Sequence, residues 1–414
     1  MSVLSRRQMA FVATAVWAGI VLLLASNRGF YEAAMMSPYF AFALGGAAIL
    51  HFAVRPPKDA LPVAGLAGGL AVADWAVLGF PHGAWLVPSL SLIGMGSLLV
   101  LGARLIWASG PQRKLLACAF VPALLFVISE WFASDLLELT TRLHPRTLDL
   151  YLYSFEASQG LQTSFEAGRL FAHWPWLRAI SFVFYIGLAL PIALVYGGQL
   201  RKRAAAALPV TVAFLITGPL GVVFYNLFPA NGQLYVFRET FPMHSLSMEQ
   251  AARLLLEPIA IAGYRNAIPS LHMAWALLVW WNSRGLSRWI RALMLAFVGF
   301  TVLATLGSGE HYLVDLAVAF PFAVMVQALA DYPTPWSARR RALPLLGGLL
   351  MTLAWFALLR FAHPLWWISP AVPWGFMAAT VAASFALLRL QMTAPQAGLA
   401  MSEALPASDA APAP

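Results

Sequence analysis

The chain has 414 residues, of which 61% are hydrophobic and only 10% charged, with a mean hydropathy of +0.74. A soluble domain carries about 25% charged residues because its surface must be hydrated, so the composition excludes an ordinary water-soluble protein. The net charge of +9 raises a nucleic-acid partner, but the basic residues fall in short connections between apolar runs, where they mark the cytoplasmic side of a membrane. No nucleic-acid partner is expected.

In chain order, Arg6 and Arg7 precede an apolar run from Met9 to Ser26, longer than a usual signal-peptide core, which reads as an uncleaved first span with its N-terminus inside. Further spans are expected at 39–54, 61–80, 84–108, 115–133, 176–198, 207–228, 270–283, 291–308, 310–331, 344–362 and 371–391. Most approach the ~20 residues that a helix needs to cross about 30 Å of hydrocarbon. The second is short and the third glycine-rich. The expected fold is therefore all-α, a polytopic bundle of about twelve transmembrane helices.

The basic clusters are Arg6/Arg7, Arg55/Lys58, Arg113/Lys114, Arg201–Arg203, Arg284/Arg288/Arg291 and Arg339–Arg341, and all fall on one face under alternating topology. Segments 134–175 and 229–269 and the turn 307–311 fall on the other, non-cytoplasmic face. Segment 134–175 is expected to be part helical along the interface, or an ordered cap on the bundle. The tail from Thr393 is Ala/Pro-rich and is expected to be disordered. Cys118 is the lone cysteine, so no intrachain disulfide can form.

Two histidines stand where non-cytoplasmic segments re-enter the membrane. His272 follows Pro269 and Ser270, and a helix starting there offers free N–H groups and a dipole to an anion. His311 has Asp315 one helical turn ahead, where a carboxylate can fix the imidazole tautomer. A carboxylate within a span needs such a partner. A lone histidine near a helix end is usually an interfacial side chain, and His51, His82 and His363 read that way. His144, His173 and His244 lie in outer segments without an evident partner. Asp74, Arg104 and Glu130, in or near spans, read either as functional or as snorkelling and structural pairs.

The pair P-S-L-H at 269–272 and H-Y-L-V-D at 311–315 resembles the membrane-bound phosphatidic acid phosphatase type 2 superfamily, closest to its inositol phosphorylceramide synthase-like branch. "YNLFPANGQLYVF", 225–237, is similar to a Tyr-x3-Pro segment of that branch, as is "TLDLYLYSFEASQG", 147–160. The resemblance implies a six-helix phosphatase-like catalytic core at 115–331, an N-terminal extension of about four helices at 1–114, two further helices at 332–392 and a tail at 393–414. It also implies an integral-membrane lipid phosphatase or phosphotransferase that needs no metal or other cofactor. His311 would attack phosphorus, Asp315 orient it, His272 protonate the leaving alkoxide and Ser270 hold the phosphoryl oxygens. The chain departs from the family in having Thr305 where the motif arginine stands and in lacking the upstream Lys/Arg-Pro motif. Arg265 and then Arg238 are the candidates for charge compensation, with Tyr225 and Thr305 also placed at the substrate.

The expected partners are a phospholipid or other lipid-linked phosphate and the bilayer, in the cytoplasmic membrane with the site facing outward. The weaker cationic clamp favours a phosphodiester, as in headgroup transfer. The competing reading is a non-catalytic lipid-binding protein or transporter, although paired interrupted helices in two halves are not evident. A metal-dependent hydrolase is more distant, because His272, His311 and Asp315 make an incomplete ligand shell.

Overall fold

A computed structural model describes residues 36–392 except 56, 58, 79–85 and 203. The expected first span with Arg6 and Arg7, together with Lys58, His82, Arg203 and the tail from Thr393, lies outside the described residues. Those residues form helices and turns, with one isolated bridge between Thr147 and Ile259. Among the described residues seven helices are long and apolar enough to cross a membrane; the pair Pro175–Ile186 and Ala189–Lys202, bent by 50°, makes an eighth if it is one span. This is consistent with a multi-pass membrane protein. The expected spans at 39–54 and 61–80 are the shorter apolar helices Pro38–Val54 and Ala60–Leu78. The span expected at 270–283 is the 12-residue helix Leu271–Asn282, about 18 Å long at 1.5 Å per residue and too short to cross alone.

Two helices organise the end of the bundle that carries the histidines. Gly110–Leu143 runs for 34 residues, about 51 Å, so it continues well past a hydrocarbon layer. Beyond it, Asp149–Ser158 is buried at every position but one, because its aromatic and aliphatic side chains face neighbours on all sides. It caps the bundle from within. His363, expected at an interface, meets Ser154 of this helix at 2.9 Å (Nε2 to Oγ), and Arg360 lies over the Tyr151 ring at 4.5 Å. The C-terminal helices are thereby tied to the cap.

Leu313–Ala330 is the central helix, buried along most of its length and packed against Ala204–Leu227, Leu271–Asn282, Arg339–Phe361 and Ala371–Met392. Arg339–Phe361 approaches it closely at Gly348, where an added Cβ would lie 2.5 Å from the Pro321 carbonyl oxygen. Among the helices before Gly110, His51 and Arg104 share buried Asp59 with Arg55, at 3.2, 2.9 and 3.2 Å. His51 and Arg104 thus act in a structural ion cluster. His144, without a partner evident in sequence, meets Asn226 at 3.0 Å.

Gly348→Leu is expected to lower the unfolding midpoint of detergent-solubilised protein, since overpacking a well-filled contact costs about 1–3 kcal/mol. Gly65→Leu, where an added Cβ meets nothing within 4 Å, is expected to leave the midpoint unchanged.

Candidate active site

Both candidate histidines lie at helix starts, and the fold joins those starts directly. Ser270 caps Leu271–Asn282 by accepting the Met273 N–H at 3.4 Å. Its own N–H donates to the Asp315 carbonyl oxygen at 3.1 Å. Two segments about forty residues apart are thus tied through the backbone, which puts His272 and His311 at one end of the bundle. Their rings lie within electrostatic reach of each other.

The state of His311 follows from its partners. Its side chain is 3% exposed. Nδ1 lies 2.8 Å from the Ala267 carbonyl oxygen and 3.4 Å from Asp315 Oδ2. Both are acceptors, which assigns a proton to Nδ1 and makes Nε2 the nitrogen without an acceptor beside the backbone. Nε2 faces the Ser270 hydroxyl at 3.4 Å. The expected pairing with Asp315 is present but is the longer contact, because the carboxylate makes its shorter bond, 2.8 Å, to the Tyr312 N–H.

Two buried carboxylates hold this arrangement from the cap helix, and neither is among the residues singled out from sequence. Glu156 accepts from the Ser164 N–H at 2.7 Å, Thr163 Oγ1 at 2.9 Å, Ser164 Oγ at 3.2 Å, Gln233 Nε2 at 2.8 Å and the Leu313 N–H at 3.4 Å. Ser164 Oγ also lies 3.1 Å from the His311 carbonyl oxygen. Asp149 accepts from the Asn231 and Gly232 N–H groups and from the Tyr312 hydroxyl, at 3.1, 2.8 and 3.1 Å. Burial pushes both carboxyl pKa values up, and the donors pull them back. The signal was available: residues 149 and 156 are seven apart, which puts both carboxylates on one helical face amid apolar neighbours. Gly232, at φ +138°, lets the 229–233 loop pass the Glu310 carbonyl, 2.5 Å from where a Cβ would stand.

The other sequence candidates separate into two groups. Tyr225 is brought in: its buried hydroxyl lies against the Leu271 backbone and near Asp315. Arg265, Thr305 and Arg238 make their contacts elsewhere. Arg265 is buried, but its guanidinium bonds the carbonyl oxygens of His144 (2.8 Å) and Gly263 and Asn231 Oδ1 (3.3 Å). The Thr305 hydroxyl bonds its own helix at the Thr301 and Val302 carbonyl oxygens. Arg238 is exposed and lines a 520 Å³ cavity with Tyr235 and Glu239. A second cavity of 250 Å³ reaches Ser308 and Glu310, beside His311, and shares Leu234 with the first. The histidines line neither. Among the described residues no group of three or more His, Cys, Asp and Glu could hold a metal ion.

Residues 150–329 match the family model of the PAP2 superfamily, a region that contains every candidate site residue from Ser164 to Asp315 and Glu156 of the cap. No curated protein and no solved structure matches the chain. The family match and the apolar helices point to a membrane phosphatase of that type.

Glu156→Gln replaces one acceptor by a donor facing the Gln233 amide or the Leu313 N–H, and leaving a buried group unsatisfied costs about 1–3 kcal/mol. It is expected to lower the unfolding midpoint and to raise amide hydrogen exchange at 311–313, read by mass spectrometry.

Proposed function

We propose that the protein is an integral-membrane lipid phosphatase or phosphotransferase that works through a phosphohistidine at His311. The observation that carries this is the His311 ring itself. Nδ1 is held by two acceptors while Nε2, the bare nitrogen, faces Ser270 at 3.4 Å. A histidine kept in one tautomer by its far nitrogen is a prepared nucleophile.

In this reading Nε2 forms a bond to phosphorus as the bond from phosphorus to the leaving alkoxide breaks. His272 gives that alkoxide its proton. Water or a second alcohol then attacks phosphorus, the N–P bond breaks, and the attacking group's proton passes to His272. No step calls on a metal. The Ser270 hydroxyl and the His272 N–H, a first-turn donor of the kind a helix leaves unpaired, hold the non-bridging oxygens where charge develops. The Ser270 N–H does not take part, because Asp315 already accepts it. Ala267 and Asp315 together orient His311, and Tyr225 braces the start of the His272 helix. In this reading the site faces the non-cytoplasmic side, which the basic clusters of the short loops support.

Among the described residues no arginine or lysine bonds His272, His311, Ser270 or Asp315. A dianionic monoester would be poorly compensated there, which favours a singly charged phosphodiester and hence headgroup transfer, in keeping with the synthase-like branch.

The test is a panel of phosphatidic acid, common phosphodiester phospholipids and polyprenyl phosphates, scored for free phosphate and for new lipids with purified protein. At least one class is expected to turn over, with diesters preferred. His311→Ala is expected to abolish turnover and trapping of label on the protein. His272→Ala is expected to reduce turnover by about 10²–10⁴-fold, the usual contribution of a general acid–base. Full activity in His311→Ala protein would remove the nucleophile from the account.

A further inference from the structure

His272 makes one contact that the chemistry above does not use. Its ring lies face to face on Tyr185, with centroids 3.8 Å apart and planes 18° from parallel, while Trp275 meets it edge-on at 6.3 Å. Tyr185 is 6% exposed, and its hydroxyl donates to Glu310 Oε2 at 2.9 Å. Glu310 is the residue immediately before His311. The acid's ring and the nucleophile's backbone are therefore linked through one tyrosine and one carboxylate.

A helical backbone does not by itself fix the plane of an imidazole, because the terminal ring torsion is broad. A general acid needs that plane, since its proton must point at the leaving oxygen. Stacking supplies it only if the partner ring is itself held. Tyr185 is held at both ends. Its hydroxyl is tethered to Glu310, and its backbone lies in the last turn of Pro175–Ile186, just before the 50° bend. The N-terminal extension backs that bend: Phe42 lies 3.8 Å from a Cβ at Gly187, and a Cβ at Gly46 would lie 3.2 Å from the Ala189 carbonyl oxygen. Tyr39 of the same helix lies within electrostatic reach of both Tyr185 and Glu310.

We infer that Tyr185 is a positioning residue that sets the plane of the His272 imidazole, with Glu310 anchoring the tyrosine hydroxyl beside the His311 backbone. This rests on the phosphohistidine reading and deepens it. It also gives the extension, which lies outside the matched region, a part in the site, because the extension packs where the tyrosine helix breaks.

The test uses full-length protein and short-chain phosphatidic acid or bis(p-nitrophenyl) phosphate, whichever the wild type turns over, with kcat and KM measured separately. Tyr185→Leu removes the stack and is expected to lower kcat by about 10–100-fold, the scale of a misplaced catalytic group, with KM little changed. Tyr185→Phe keeps the ring and is expected to recover most of that loss. Glu310→Ala is expected to match Tyr185→Phe, the double variant to be no worse than either, and Glu310→Gln, which still accepts the hydroxyl, to stay close to wild type.

Unchanged kcat in Tyr185→Leu, a loss confined to KM, or additive effects in Tyr185→Phe/Glu310→Ala would each overturn the inference. Should Tyr185→Leu fail to fold, the Tyr185→Phe and Glu310→Ala cycle decides alone. Wild-type inactivity on every substrate, or activity in His311→Ala protein, would instead overturn the phosphohistidine reading, so the two failures are distinguishable.

Discussion

One backbone hydrogen bond organises the end of this protein that carries the two histidines: the Ser270 N–H donates to the Asp315 carbonyl oxygen at 3.1 Å. It joins the first turns of two helices that are separated in sequence by a whole intervening helix, Arg288–Gly307. Both helices then start at the same level and run in the same direction. From that tie follow the approach of Ser270 Oγ to His311 Nε2 and the shared end of the bundle for both imidazoles. Without it, the residues would be two unrelated interfacial histidines.

The tie is maintained by polar groups taken out of water. A carboxylate in such a place is costly unless its lone pairs are met, and Glu156 and Asp149 are met by donors from three separate chain segments, 163–164, 231–233 and 312–313. Each bond fixes one more segment, so the cap helix, the 229–233 loop and the turn before Leu313–Ala330 order one another. This explains why Asp149–Ser158 is buried on nearly every side although it belongs to no expected span. The C-terminal helices add a second restraint through Ser154 and Tyr151, so the family-matched region is braced by chain beyond its limits.

How much of this is legible in the sequence depends on the range of the interaction concerned. The membrane class is written in composition, which sums over every residue. The histidine pair is legible because each member carries a local signal, a Pro-Ser helix start for His272 and an aspartate one turn ahead for His311. Arg265 shows the limit of that logic. It lies four residues before Pro269, but the chain between turns its guanidinium toward His144 and Asn231. Thr305 is in register with a motif arginine, yet a hydroxyl that short satisfies itself on its own helix. Tyr185 sits in an apolar stretch and carries no local mark, and its meaning arises only when the 50° bend presents it to His272. The helix expected at 270–283 is legible in its bounds, Leu271–Asn282, but an apolar run does not reveal whether neighbouring helices or lipid will cover it.

The central claim is that both imidazoles address one tetrahedral phosphorus. It is tested most directly by an experimental structure of the protein with vanadate, which mimics phosphorus in flight. The account predicts vanadium bonded to His311 Nε2, with Ser270 on an equatorial oxygen and His272 within hydrogen-bond distance of the apical oxygen opposite. Vanadate bound away from His311, or on His311 with the His272 ring turned out of reach, would contradict it.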